Sequence, residues 1–222
     1  MRRIFIATVF SVAALAPAGA ASAAQAKVAP PKSGPAATFS APQQAELDRI
    51  SAALNAIHTM KGGFVQIDPN GGLEQGKFYL EKPGRVRFEY DPPTPTLIVS
   101  NGTTIAVKNT KLDTVDRYPL LSTPLDFVLS DHLDLKNNDA VTSVEHRGDS
   151  LIVRAHARDK HVQGDITMVF SDPGLELRQW TVIDPQGLST TVALRNVETG
   201  VSLDPSLFVL KERNRFTKGN DD

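Results

Sequence analysis

Apolar residues Leu47, Ile50, Leu54 and Ile57 recur every three or four positions, with Ala53 and Met60 on or near the stripe. Glu46, Asp48, Arg49, Ser51 and Asn55 fill the opposite face, so the spacing predicts one amphipathic helix, ended by Gly62-Gly63. From Phe64 the period changes to two. Strands are expected over 64–67, 76–81, 85–90, 96–99, 104–108 and 114–118. In the clearest of them, Val86, Phe88 and Tyr90 take one face and Arg85, Arg87 and Glu89 the other. Asp68-Pro69-Asn70-Gly71-Gly72, Lys82-Pro83-Gly84 and Asn101-Gly102 punctuate them as turns.

A short helix follows over 123–130, with Thr123 able to cap, Pro124 at the first helical position and Asp126 in the first turn. Leu125, Phe127, Val128 and Leu129 make it apolar almost all round, so it needs a surface to lie on. Strands then resume over 140–146, 151–156, 163–170, 176–183 and 188–197, with a last one over 207–210. About eleven strands with hairpin-length links imply one antiparallel sheet, strongly curved or closed into a barrel. The two helices that interrupt it should sit at its open side. The class is mainly β with helices (α+β).

The first 23 residues change the picture of where the chain acts. Met1-Arg2-Arg3, an apolar run from Ile4 to Leu15, and Ala18-Gly19-Ala20-Ala21-Ser22-Ala23 read as a cleaved secretory signal. The run is about 12 residues, short of the roughly 20 that span a bilayer. Residues 24–42, with Ala29-Pro30-Pro31-Lys32-Ser33-Gly34-Pro35, read as a disordered leader. One folded domain is expected over 43–216, and a polar tail over 217–222. Removing the signal leaves 22 basic residues against 25 acidic ones, a net charge of −3, which suggests no nucleic-acid footprint. With no cysteine the fold must stand on its apolar core, and there is no thiol for a lipid anchor. A secreted, unanchored monomer of the periplasm is the expectation.

Candidate chemistry is thin. Gly71, Gly76 and Lys77 match the start of a phosphate-binding loop, but Phe78 stands where a hydroxyl is needed, and turn glycines are the better reading. His58, His132, His146, His156 and His161 show no metal-ligand spacing. There is no G-x-S-x-G elbow and no carboxylate pair placed for acid–base work, so neither an enzyme nor a cofactor is expected. Asn101-Gly102-Thr103 is a hairpin rather than a sugar acceptor. What remains is an apolar inventory: Phe78, Leu80, Val86, Phe88, Tyr90, Met168, Phe170, Trp180 and Val182 on alternating strands. A packed core and a cavity lining look alike at this level.

The run Phe64-Val65-Gln66, then Gly76-Lys77-Phe78-Tyr79-Leu80-Glu81-Lys82-Pro83-Gly84-Arg85-Val86-Arg87-Phe88-Glu89-Tyr90, resembles the LolA-type outer-membrane lipoprotein carriers. Pro93, the Leu97 to Gly102 hairpin and Pro205-Ser206-Leu207-Phe208 continue the pattern. The resemblance implies a half-open β-barrel with a helical lid, whose cavity takes the acyl chains of lipoproteins. Such a carrier receives cargo from an inner-membrane ABC transporter complex and gives it to an outer-membrane acceptor. It implies a cavity lined by Phe78, Leu80, Val86, Phe88, Tyr90, Met168, Phe170 and Trp180. The lid would carry Leu47, Ile50, Leu54 and Ile57 on one helix and Leu125, Phe127, Val128 and Leu129 on the other. Lys82 would latch it, in a place where the family usually has arginine; lysine lacks the planar fork that reaches several carbonyls at once. Three rivals share parts of the pattern. The acceptor of the same fold usually needs a lipidated cysteine, a lipid-binding envelope-stress sensor is usually longer, and a periplasmic hydrolase needs a catalytic cluster.

Overall fold

The computed structural model describes residues 38–123, 125–156 and 164–211, apart from the side chains of Ser122 and Asp126. The expected signal (1–23), the leader up to residue 37, the 217–222 tail, Pro124 and His161 lie outside them.

Helix α1 (Ala41–Asn55) starts two residues earlier than the composition of the leader suggests. Pro42 has the fixed φ that suits a first helical turn, and Gln43 Oε1 accepts the Ser40 backbone N–H at 3.0 Å. Leu47, Ile50 and Leu54 are buried along the predicted stripe. The helix ends at Asn55, not at Gly62-Gly63, which lie inside strand β1 (Thr59–Ile67). A Cβ on Gly62 would come within 2.8 Å of the Arg195 carbonyl and 2.9 Å of the Phe78 ring, so this glycine allows close approach within the sheet. Met60 accordingly belongs to β1, and Ile57 follows the helix.

Hairpins then add β2 (Leu73–Glu81), β3 (Arg85–Tyr90), β4 (Thr96–Asn101), β5 (Thr104–Asn109) and β6 (Thr114–Pro119). After the crossing segment come β7 (Val141–Arg147), β8 (Ser150–His156), β9 (Asp165–Ser171), β10 (Leu177–Ile183) and β11 (Ser189–Thr199). All eleven form one curved antiparallel sheet in the order β6-β5-β4-β3-β2-β1-β11-β10-β9-β8-β7. The first and last strands pair in its middle, and the sheet edges β6 and β7 are consecutive in sequence. The segment joining them therefore has to cross the open side of the half-barrel.

That segment carries a 3-10 turn (Leu120–Ser122) and a one-turn helix α2 (Asp126–Leu129), shorter than the expected 123–130 helix. Thr123 does not cap it: its hydroxyl donates to the Leu120 carbonyl at 2.8 Å and closes the preceding turn. The last expected strand, 207–210, is also absent. Pro205–Phe208 forms a 3-10 turn instead, because Asp204 Oδ1 accepts the Ser206 N–H at 2.8 Å and bends the chain. The Arg87 guanidinium donates to the Leu207 carbonyl at 3.0 Å, and Arg85 lies 5.9 Å from the Phe208 ring centroid. These arginines occupy the face of β3 opposite Val86 and Phe88.

The core lies between the concave face and the helices. Leu47, Ile50 and Leu54 of α1 join Val128 and Leu129 of α2 and the inward residues of the sheet in one buried cluster. Asn55 fastens α1 to the crossing segment through two reciprocal bonds: its Nδ2 donates to the Leu133 carbonyl and its Oδ1 accepts the Leu133 N–H, both at 2.9 Å. Ser51 Oγ accepts the Leu135 N–H at 3.0 Å, and Lys136 pairs with Asp48 at 2.8 Å. Arg49 reaches Asp172 at 3.2 Å in the β9–β10 turn, which also meets His146 Nε2 at 2.6 Å.

Candidate functional site

Strand alternation brings a set of apolar side chains to one end of the concave face. Met60 of β1, Phe78 and Leu80 of β2, Val86 and Phe88 of β3, Trp180 of β10 and Leu194 of β11 surround a cavity of about 10 Å³. Leu125, Val128 and Leu129 close it from above. Every lining side chain is apolar in character. The free space is about that of one water molecule, whereas pockets that hold drug-sized ligands measure roughly 300–1,000 Å³. Leu125, Val128 and Leu129 border the little space that is left.

The sequence-derived set divides accordingly. Phe78, Leu80, Val86, Phe88 and Trp180 line the cavity, as do Leu125, Val128 and Leu129. Met168 and Phe170 are fully buried in the core without reaching it. Tyr90, Ile57 and Phe127 are partly buried against the core, and Leu47, Ile50 and Leu54 pack the inner side of α1. Met60 and Leu194 were not anticipated. The signal existed, since Met60, Phe64 and Gln66 alternate along β1, but the small Gly62 between them hides the period.

Aromatic rings back this wall. Phe88 lies 6.1 Å from Phe78, 6.3 Å from Trp180 and 5.2 Å from Phe64 between ring centroids. Phe64 also meets Tyr90 edge-on at 4.9 Å. Beyond Phe64 the β1–β3 side of the concave face turns polar, while Val192 of β11, opposite Gln66, stays apolar. Tyr90 Oη donates to Gln66 Oε1 at 2.7 Å, Gln66 Nε2 donates to Glu74 Oε2 at 3.1 Å, and Thr94 Oγ1 donates to Glu74 Oε1 at 3.1 Å. Burial raises the pKa of both the Tyr90 phenol and the Glu74 carboxyl, and their mutual proximity pushes Tyr90 up further.

The β2–β3 turn holds both helices. Lys82 Nζ donates to the Leu54 carbonyl of α1 at 2.7 Å, and the Gly84 N–H donates to the Leu129 carbonyl of α2 at 2.9 Å. Ser100 Oγ in turn donates to the Gly84 carbonyl at 2.7 Å. Lys82 is buried, and burial lowers its pKa to about 8 against a small opposing pull from Asp131. A lysine supplies one donor to one carbonyl here, where a guanidinium could span several.

Other candidate chemistry is dispersed. Gly76, read as a turn glycine, sits inside β2, where a Cβ would overlap the Glu89 carbonyl oxygen. His58 and His132 are exposed, His146 pairs with Asp172 and His156 with Asp165. Among the described residues no group of three or more His, Asp or Glu side chains is placed to hold a metal ion. No described helix is long and apolar enough to cross a membrane.

Comparison with known proteins places these features in a wider set. The family model described as "Outer membrane lipoprotein carrier protein LolA" matches residues 55–211. An outer-membrane lipoprotein carrier protein of Methylococcus capsulatus is 29% identical over 171 residues, 72% of this chain and 80% of that protein. One of Azotobacter vinelandii is 26% identical over 183 residues, covering 77% and 87%. Among solved structures, a LolA superfamily protein of Nitrosomonas europaea matches with a TM-score of 0.42 at 9% identity, covering 74% of this chain and 97% of that one. A MucA/MucB complex of Pseudomonas aeruginosa gives 0.46 at 13%, covering 77% and 62%.

Proposed function

We propose a lipid-carrying role for this chain, which belongs to the family of LolA outer membrane lipoprotein carrier proteins. It takes the acyl chains of lipoproteins into the apolar site under α2 and carries them through the periplasm, from an inner-membrane ABC transporter complex to an outer-membrane acceptor. The signal over 1–23 directs it there and is removed. The role is binding and release, with no bond made or broken.

One observation carries this reading: an all-apolar cavity whose roof is a one-turn helix held by the β2–β3 turn. Burying a methylene group is worth about 0.8 kcal/mol, so a 16-carbon chain gains on the order of 12 kcal/mol on leaving water. The roof side chains Leu125, Val128 and Leu129 gain roughly 1.5–3 kcal/mol each by filling the same site. Together they supply roughly 4.5–9 kcal/mol, so an acyl chain can displace the roof while the roof offsets much of what holds the chain. That partial offset is what a carrier needs, because cargo held by the full burial energy would never leave.

The test is fluorescence titration of the purified protein with a triacylated lipopeptide, with hydrogen exchange followed across 125–129. Saturable binding at one site per molecule, with faster exchange of α2 in the bound form, is the expected result. A protein that stays closed and binds nothing would leave the cavity as ordinary core packing. Release of an acylated protein from inner-membrane vesicles into solution would extend the reading to transfer.

A further inference from the structure

We infer that Phe64, backed by the Tyr90–Gln66–Glu74 hydrogen-bond chain, is the floor of the site and sets the longest acyl chain it accepts. This rests on the carrier reading above and deepens it to a specificity within the lipid class.

The argument starts from depth along the barrel. Met60, Phe64 and Gln66 point to the concave side of β1, which runs away from the Lys82 turn. Met60 pairs with Leu80, next to Val86, and these residues line the cavity at the lid end. Phe78 and Phe88 form the next level down. Phe64 lies one level deeper, opposite Gly76 on β2 and Leu194 on β11, and is fully buried. Its ring occupies the space a side chain at position 76 would need: a Cβ there would come within 2.9 Å of Phe64 Cε1. The absent side chain leaves room for the ring, which stands edge-on to Phe88 and Tyr90.

Behind the ring, on the β1–β2 side, an apolar chain meets buried polar groups, while Val192 of β11 opposite Gln66 is apolar. Gln66 is buried with its oxygen and nitrogen both bonded, to Tyr90 and Glu74. Glu74 accepts from Thr94 as well. A methyl terminus pushed past Phe64 would have to break these bonds and leave buried polar groups without partners. The ring is thus a soft stop and the polar chain a hard one.

Two strand residues advance by about 7 Å, the length of about five methylene groups. Each methylene newly buried multiplies affinity by about four. A smaller residue at position 64 should therefore admit about two to four more carbons, and two of them would raise affinity for the longest chains roughly fifteenfold.

The experiment measures displacement of an anilinonaphthalene dye by saturated fatty acids of about ten to about twenty carbons. Wild type, Phe64→Leu and Phe64→Ala are compared, with circular dichroism as the folding check. The wild type should gain affinity with length up to a limit. Phe64→Leu should move that limit outward while leaving short chains unchanged, and Phe64→Ala should move it further. If the alanine variant does not fold, the leucine variant decides alone. Wild-type binding with the same length limit in the folded leucine variant would overturn the floor and leave the carrier reading standing. A wild type that binds no chain of any length would overturn both.

Discussion

The Lys82 ammonium stands 2.7 Å from the carbonyl oxygen of Leu54, so the turn after β2 grips the last turn of α1. Two residues later, Gly84 grips α2 through the Leu129 carbonyl. A three-residue turn thus holds both covering helices, one by a side chain and one by backbone. The two grips are separable by mutation, because only the first depends on a side chain.

Replacing Lys82 with Met should loosen α1 and spare α2. The substitution removes a charge-assisted donor, typically worth about 1–3 kcal/mol, while keeping a flexible apolar stem. Leu54 O keeps a weaker contact from the Ile57 N–H at 3.2 Å, so the loss should fall at the lower end of that range. Hydrogen exchange over 54–57 should speed up several-fold, with little change over 126–129. Equal exchange in both segments would mean that Lys82 does not hold the helix.

The same lysine makes stability depend on pH. Folding buries the ammonium and lowers its pKa from 10.5 to about 8. Between those values the unfolded chain binds more protons than the folded one, so stability rises with pH through that window. The penalty for burying the charge is fully present below pH 8 and fades above it. The urea midpoint of the wild type should therefore rise from pH 7 to pH 9.5 relative to that of Lys82→Met. A difference between the two proteins that stays flat over this range would show that Lys82 titrates alike in the folded and unfolded chain.

Much of this arrangement is legible from the sequence, and its gaps have physical causes. The bounds of β3 follow from strict alternation after Pro83-Gly84. The start of β1 does not, because Gly62-Gly63 shows no apolar face and resembles a helix stop. Likewise Asp204 bends the chain by a local bond that no periodicity reveals. For the site the limit is sharper. Alternation tells that Phe88, Met168 and Phe170 all face inward, but depth along the barrel depends on pairing between distant strands. Trp180 lines the cavity while Met168, its direct partner on β9, does not, and Phe170 lies two residues further along, opposite Leu177. Period gives the face, but side-chain reach and the curve of the sheet decide which inward residues meet the cavity.

Asn55 offers a test of how the cover is assembled. Its amide makes both backbone bonds of a strand-like pair with Leu133, at 2.9 Å each, and so joins α1 to the segment that carries α2. Asn55→Ala removes both partners at once, at about 0.5–1.5 kcal/mol per bond. The urea midpoint should fall by an amount equivalent to about 1–3 kcal/mol, and exchange should rise on both sides of the contact. A midpoint equal to that of wild type would mean that water replaces both bonds without cost.

Val86 offers the strictest test, because it lies between lid and floor and lines the cavity while being only 1% exposed. In the closed protein Val86→Glu would place a carboxylate in about 10 Å³ of space with no polar side chain lining it. Burying an unpaired carboxylate costs several kcal/mol, of the order of what the Gly84–Leu129 bond and the roof residues next to it supply. The sheet, by contrast, is held by backbone pairing on both sides of Val86, with Leu80 on β2 and Ser100 on β4. The weaker element should give way. The variant is expected to keep its β-sheet circular dichroism and to expose α2, with exchange over 126–129 approaching that of an open segment. Fatty-acid binding should be lost, since the open site then holds a hydrated charge where the chain would lie. Lowering the pH to about 5 should restore part of the binding, because a carboxyl in apolar surroundings takes up its proton above its ordinary pKa near 4.3. A variant that aggregates or loses its sheet would show that Val86 supports the fold itself. One that binds fatty acid like wild type at pH 7 would show that acyl chains lie elsewhere.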